Sequence, residues 1–477
     1  MTDRTRRDFL KTAGIAAAAY ALLPGCAAAG RVTGKSRKKP NIIFILADDL
    51  GWRDLGFMGS RYYETPRIDK LAEEGVGFTS AYSNAPNCAP TRACLMSGQY
   101  GPRHGVYTVG TSERGPANMR KLVPTPNTTD LDTKVVTIAD ALKPAGYTSA
   151  CIGKWHLGDK EPYRPQDRGF DVVVARDHAG HFDKQGNYLT DTLTDKALEF
   201  IAANKDRPFF LYLAHHAVHT PIQAKKELIE KYKKKTGDEI HNNPTYAAMI
   251  ESVDQGVGRV LDKLDELVLA ENTVVFFFSD NGGYGNVTSM APLRGSKGML
   301  YEGGIRVPLI IRWPGVAKPR TKCDVPVIGI DFYPTMLEIA GAKKPRRHIL
   351  DGESILPLLK GADKLKRKAI FWHFPAYLEP YNERQKPWRT TPAGAVRMGD
   401  WKLIEFFEDN RIELYNLKYD ISEKENLAES NPEKAEELHR LLLNWRKKTN
   451  APVPTERNPK YDPNTAAQKR KKVNEQM

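Results

Sequence analysis

The sequence predicts an α/β protein: a large, mostly parallel sheet sandwiched by helices, followed by a smaller C-terminal α+β subdomain with an antiparallel sheet. Three observations carry this. First, "NIIFILA" (41–47), "PFFLYLA" (208–214) and "TVVFFFS" (273–279) are continuous apolar runs, the mark of strands buried on both faces. Second, helical patterns lie between them. "TIADALKPAG" (137–146) reads as a helix ended by Gly146 and leads into the strand "YTSACIG" (147–153). A longer helix over 246–267 lines up Met249, Ile250, Val253, Val257, Val260, Leu261 and Leu264 on one stripe. Strands alternating with helices imply parallel pairing. Third, the pattern changes after residue 366. "AVRMGDWKLIEFF" (395–407) and "RIELYNL" (411–417) read as antiparallel strands. "NPEKAEELHRLLLNWRKK" (431–448) reads as a helix capped by Asn431, with Pro432 in its first turn and Ala435, Leu438, Leu442 and Trp445 on one face. The expected limits are a main domain over 40–366, a subdomain over 367–450 and a mobile polar tail over 451–477.

The chain starts with an address. "RTRRDFLK" (4–11) has the form of a twin-arginine export signal, and the apolar stretch 13–23 is too short to span a bilayer. "LLPGC" (22–26) resembles a lipobox with Cys26 as the lipidated residue. The competing cut lies near 27–29. Residues 1–26 are thus expected to be a signal peptide and 27–39 a basic linker. The mature protein is expected outside the cytoplasm, in the periplasm or cell envelope, touching a membrane only through a lipid anchor. The twin-arginine export machinery is an expected partner.

The net charge of +14 is unevenly spread. Residues 1–39 carry +7 and residues 456–477 carry +3, which leaves about +4 on the body. A nearly balanced body argues against a nucleic-acid-binding protein. The five cysteines, Cys26, Cys88, Cys94, Cys151 and Cys323, show no CxxC pair and no zinc-type spacing. At most one disulfide is open to Cys94, Cys151 and Cys323, and small buried side chains are the plainer reading.

In open parallel sheets, ligands bind beyond the carboxyl ends of the strands. The residues just after each predicted strand are therefore informative. Asp48 and Asp49 come after the first. Lys154 and His156 come after the second, in "GKWHLG". His215, His216 and His219 come after the third, in "HHAVHTP". Asp280 and Asn281 come after the fourth, with Lys297 beyond them in "LRGSKGMLYEGGIRVP". One acidic pair after a strand is ordinarily a helix cap, and one "GKWH" a surface turn; four such groups at one sheet edge are not explained that way. Asp48, Asp49, Asp280 and Asn281 are oxygen ligands suited to Ca²⁺, or less well to Mg²⁺. Arg92, Lys154 and Lys297 can hold a tetrahedral oxyanion. His156 and His219 can move protons near neutral pH; His215 and His216 read as packing or loop residues. This set describes a site for cleaving a sulfate or phosphate ester.

The candidate nucleophile lies in "NCAPTRACLMSG" (87–98). Cys88, Pro90, Thr91, Arg92, Leu95, Ser97 and Gly98 resemble the signature C-x-P-[ST]-R-x-x-L-x-[TS]-G of the type I, formylglycine-dependent sulfatases. "GKWHLG" resembles the second family signature, and "DNGG", "LRGSKGMLYEGGIRVP", "DFYPTMLEIAG" (331–341) and "VRMGDWKLI" (396–404) are similar to further blocks. The resemblance runs over about 41–428 and implies the alkaline phosphatase-like fold. It also implies that Cys88 is oxidised to Cα-formylglycine by a formylglycine-generating or radical maturation enzyme that reads Pro90 and Arg92. Cys88 in that form joins Asp48, Asp49, Asp280 and Asn281 around the cation. The aldehyde hydrates, and one hydroxyl, held by the cation and Arg92, attacks sulfur. His219 and Lys297 assist the leaving alcohol. His156, with Lys154 beside it, takes the proton of the second hydroxyl so that sulfate departs. A serine ester of sulfuric acid lacks that second hydroxyl, which is why a modified residue is needed. Cys94, a turn and a half on, reads as core.

Two rival readings remain on the sequence. A phosphonate or phosphate monoester hydrolase of the same superfamily is expected to carry His where this chain has Asn281. A catalytically dead binder of sulfated glycans is not expected to keep every catalytic position. The expected substrate is a sulfated glycan or a small sulfate ester, with the aromatics of "FWHFPAYLEPY" (371–381) and Trp388 either stacking sugar rings or forming an apolar seam. His178, His181, Arg103 and Arg114 lie in irregular stretches within reach of a sugar.

Overall fold

The computed structural model describes residues 39–175, 180–381 and 387–465. The export signal, Cys26 and His178 fall outside them. In chain order the strands are β1 (Asn41–Ala47), β2 (Val76–Phe78), β3 (Ala81–Tyr82), β4 (Thr148–Gly153), β5 (Val172–Ala175), β6 (Phe209–Ala214), β7 (Thr273–Ser279), β8 (Leu309–Arg312), β9 (Thr321–Cys323), β10 (Val327–Ile328), β11 (Ala369–Phe374), β12 (Ala393–Met398), β13 (Trp401–Phe406) and β14 (Arg411–Asn416).

Eight of them form one sheet in the order β5-β4-β6-β1-β7-β8-β2-β9, and β3 pairs with β10. The β1–β6, β1–β7, β4–β6 and β4–β5 pairs are parallel, while β8 runs antiparallel to both β7 and β2. The apolar runs are continuous because the central strands are covered twice. Ile42, Phe44 and Leu46 face one core, where Phe44 meets Phe276 and Phe332. Ile43 and Ile45 face the other, built on Val253, Val257 and Val260 of the helix Pro244–Glu266. Asn243 caps that helix by accepting from the Thr245 and Tyr246 amides.

Register sets the site. Gly153 of β4 pairs with Ala214 of β6, Leu46 of β1 with the same Ala214, and Ala47 with Ser279 of β7. Four strands therefore end level with one another. The next residues along the chain, Lys154, His215, Asp48 and Asp280, start at a single edge.

The second sheet is antiparallel, β11-β12-β13-β14. The helix Pro432–Thr449 lies on it through Leu438, Leu442 and Trp445, with Trp445 stacked on Phe371 at 4.9 Å. The sheet is tied to the main sheet's loops by buried charges. Lys402 Nζ donates to Glu302 Oε1 (3.0 Å) and Glu423 Oε1 (2.8 Å), and Tyr82 donates to Glu302 Oε2 (2.7 Å).

Three local expectations need correction, and one alternative left open is decided. "TIADALKPAG" is an α-helix only over Ile138–Leu142; it tightens to a 3₁₀ turn at Lys143–Ala145, since Pro144 has no N–H to continue the ladder. Asn431 occupies the N-cap position of its helix, but its side chain makes no capping bond. "FWHFPAYLEPY" starts with β11, and its Trp372, Phe374 and Tyr377 are fully buried, so these rings form a seam and offer no face to a sugar. Finally, within the expected tail, residues 456–462 are held in place: the Val123 amide bonds the Glu456 carbonyl (2.9 Å), Asn458 that of Lys121 (3.0 Å) and Asp462 that of Asn118 (2.8 Å).

Candidate active site

The site is built where the four level strand ends meet the N-terminus of the helix Cys88–Ser97. Cys88 is the first residue of that helix. Asn87 makes no side-chain cap, so the first turn's N–H groups and the helix dipole favour negative charge there. Arg92 is one turn further on, on the same face. The helix stops at Gly98, whose φ of 65° suits glycine and whose added Cβ would meet Tyr333 Cβ at 2.9 Å. Asp49 and His156 also take left-handed backbone, both at φ 64°, with no such excuse. Two strained non-glycine residues at strand ends mark a site that the surrounding fold holds in shape.

Cys88, Arg92, Asp48, Asp49, Lys154, Asp280, Asn281 and Lys297 are all buried. Lys154 Nζ donates to Asp48 Oδ2 at 2.5 Å. Arg92 donates through Nε (3.1 Å) and Nη2 (2.7 Å) to Asp280 Oδ2, and its Nη2 lies 3.5 Å from Asp48 Oδ2. Arg92 is itself fixed by the Lys154 carbonyl (2.7 Å). Lys297 Nζ donates to Asp49 (2.7 Å to Oδ2) and stands 3.5 Å from Cys88 Sγ. Cys88 Sγ is 4.0 Å from Asp49 Oδ1, to which Asn281 Nδ2 donates at 2.8 Å. His219 closes the outer side, a third exposed, with Nε2 3.7 Å from Asp49 Oδ2 and Nδ1 2.6 Å from the Thr220 carbonyl. His181, expected within reach of a sugar, is buried behind it with Nε2 2.7 Å from the His219 carbonyl.

Asp48, Asp49, Cys88 and His219 present ligand atoms within 4.8 Å of one another. His219 thus stands geometrically among the metal-type donors, although its sequence pattern suggested proton transfer alone. Asp280 is more committed: Oδ2 takes Arg92 and Oδ1 the Asp49 amide at 3.2 Å. Two oxygens, Asp48 Oδ1 and Asn281 Oδ1, are buried and accept no hydrogen bond. Each such oxygen costs about 1–3 kcal/mol. Hard divalent cations take up oxygens of this kind, so the residues fit one.

The electrostatics agree. Asp48, Asp49 and Asp280 balance Arg92, Lys154 and Lys297 charge for charge, so a bound dication leaves a surplus of two positive charges for an oxyanion. Burial works against ionisation of Asp48, but Lys154, His219, Arg92 and Lys297 outweigh it and hold the carboxyl well below its usual range. Burial and then the Asp48 charge push Asp280 up to about 7, against Arg92, a crowding of carboxylates that a cation relieves. Burial, helped by Lys154, holds His156 well below its ordinary value, as a neutral base. Burial pushes the Cys88 thiol up to about 12, so it carries no thiolate at neutral pH.

The remaining candidates separate. Arg103 is held by Asp351 (2.6 Å) and Arg114 by Glu379, while His215 is fully buried with its pKa pushed down to about 4 by burial. Cys94, Cys151 and Cys323 are not joined in a disulfide. Among the described residues no helix is long and apolar enough to cross a membrane.

A parallel-sheet edge with paired carboxylates, clustered cations and two flanking histidines defines a hydrolase of oxyanion esters. Comparison with known proteins narrows this. Residues 40–342 match the sulfatase family, and residues 296–448 match the C-terminal part of N-sulphoglucosamine sulphohydrolase. A sulfatase of Formosa agariphila is 36% identical, over 88% of this chain and 90% of that one. The N-acetylgalactosamine-6-sulfatase of Mus musculus is 33% identical, over 75% and 73% of the two chains. Among solved structures, Ps i-CgsB in complex with k-i-k-neocarrahexaose superposes with a TM-score of 0.75 at 29% identity, covering 92% of this chain and 98% of that one. A phosphonate monoester hydrolase of Agrobacterium radiobacter, 19% identical with a TM-score of 0.66, shares the fold. The chain belongs to the sulfatase family and is a sulfuric ester hydrolase.

Proposed function

We propose that this enzyme hydrolyses sulfate esters on a sulfated carbohydrate outside the cytoplasm, using a formylglycine made from Cys88 and a Ca²⁺ ion held by Asp48, Asp49, Asp280, Asn281 and the modified residue 88. The observation that carries it is the pair of buried, unpartnered oxygens, Asp48 Oδ1 and Asn281 Oδ1, beside a Cys88 that opens a helix. When present, the cation and the formylglycine supply a charge sink and an oxygen nucleophile. The chain's own groups do the rest. Arg92, pinned to Asp280 and the Lys154 carbonyl, holds the nucleophilic position. Lys297, 3.5 Å from Cys88 Sγ, and His219, on the outer side, meet the ester oxygen and supply the charge or proton that the departing alcohol needs. Lys154 orients Asp48, and the neutral His156 next to it accepts the proton whose loss lets sulfate leave.

Export through the twin-arginine route, lipidation of Cys26 and maturation by a formylglycine-forming enzyme belong to the same reading. The glycan part draws support from relatives named for N-acetylgalactosamine-6-sulfate and crystallised with a neocarrahexaose.

Assaying 4-nitrophenyl sulfate against 4-nitrophenyl phosphate on the matured protein tests the reading. The expected kcat/KM ratio favours sulfate by about 100-fold or more. A ratio favouring the phosphate would establish the phosphohydrolase instead.

A further inference from the structure

Arg389 is the conspicuous unspent charge near the site. It lies between β11 and β12, its main-chain N–H donating to the Leu378 carbonyl (3.1 Å), and its side chain is all but buried, with 5% of the residue exposed. Nε and Nη1 are buried and have no hydrogen-bond partner. The guanidinium stacks on Tyr381, 3.5 Å from the ring centroid, and Tyr381 meets Tyr284 edge-on at 4.6 Å. Stacking covers the face of a guanidinium; it leaves the in-plane N–H donors unused. Leaving such donors buried and unpaired is costly, and nothing in the packing requires it.

Its position ties it to the catalytic edge. The guanidinium lies against Gly298, where a Cβ would come within 2.6 Å of Arg389 Nε, and φ at Gly298 is 94°. Gly298 follows Lys297, which touches Asp49 and Cys88. Tyr284 is three residues beyond Asn281. The neighbouring acid does not quench the charge. Glu379 accepts from Arg114 through Oε1, and its Oε2 makes no hydrogen bond to Arg389 or any other group. Among the described residues, Glu379 stands between two guanidiniums, Arg114 and Arg389, and hydrogen-bonds only the first. Burial, and then repulsion from Arg114, pull the Arg389 guanidinium down to about 9, so the site destabilises the charge it holds and an anion would relieve it.

We propose that Arg389 binds a second anionic group, a sulfate or a carboxylate, on the same substrate that carries the scissile sulfate ester. The proposal rests on the sulfatase reading above and deepens it: the substrate is a saccharide with at least two anionic groups. The Gly298 position is kept open for the guanidinium, and the Tyr284–Tyr381 pair orients it.

The test compares matched saccharides on the matured enzyme: hexose and hexosamine 4- and 6-sulfates, each alone, with a second sulfate, and linked to a uronate. 4-Nitrophenyl sulfate reports on the sulfatase reading separately. Wild-type enzyme is expected to prefer the doubly charged member of its best pair by about 10-fold or more in kcat/KM, and the two arms tell sulfate from carboxylate. In Arg389→Gln, the doubly charged substrate should lose about 10- to 100-fold more than its singly charged partner, with Arg389→Lys in between. No dianion preference in the wild type, or equal losses for both partners in Arg389→Gln, overturns the proposal. The wild-type preference decides even if the variants fold poorly. Failure of wild type on 4-nitrophenyl sulfate and on every saccharide would refute the sulfatase reading instead.

Discussion

Cys88→Ala should reduce sulfate-ester hydrolysis at least about 10⁴-fold, to near the background of the assay, because it removes the precursor of the nucleophile itself. The loss should fall on kcat. Cys88 makes one weak contact with Asp49 and one with Lys297, so little binding energy goes with it. Stability should change by only about 1 kcal/mol, since one small buried group at position 88 is lost from an otherwise unchanged helix start. Single-turnover and steady-state assays with 4-nitrophenyl sulfate, alongside a thermal melt, check this. Residual activity within tenfold of wild type, from a variant that melts normally, would mean that a group other than residue 88 attacks the ester.

Removing divalent cations should abolish activity and also weaken the fold. Without a cation, Asp48 Oδ1 and Asn281 Oδ1 are unpaired and three carboxylates crowd one point. Binding at about 100–1,000 times Kd is worth about 3–4 kcal/mol, which corresponds to a Tm fall of about 3–5 °C for a chain of this size. Ca²⁺ should restore both properties. Asp48→Asn should respond much less, since it loses a charged ligand and frees Lys154 from its partner. The readouts are differential scanning calorimetry and metal analysis as well as turnover. Unchanged activity and Tm in protein shown by metal analysis to be empty would remove the cation from the account.

Much of this was legible because the chemistry sits directly after the strands. Asp48, Lys154, His219 and Asp280 follow apolar runs whose register places their ends level, and a run buried on both faces is the strongest signal a strand can give. The fold class followed from the same runs. What escaped had no local signature. β11 hides in an aromatic stretch that also fits a sugar platform, and only its pairing with β12 decides between them. The anchoring of residues 456–462 to 118–123 uses main-chain groups, which leave no side-chain period to read. The buried Glu302–Lys402–Glu423 cluster joins residues 100 and 21 positions apart, and Arg389 meets Gly298 from a distant loop, so neither leaves a local pattern to read. His219 as a geometric neighbour of the metal-type donors likewise appears only once β6 lies beside β1.

Residue 88 is expected to act in an oxidised form, and mass spectrometry of the tryptic peptide that contains it reads this out. Replacing CH₂SH by CHO lowers the peptide mass by about 18 Da relative to cysteine. Active preparations should show that shift, and across preparations matured to different extents, specific activity should rise in proportion to the modified fraction. A fully active protein whose position 88 is unmodified cysteine would contradict the account.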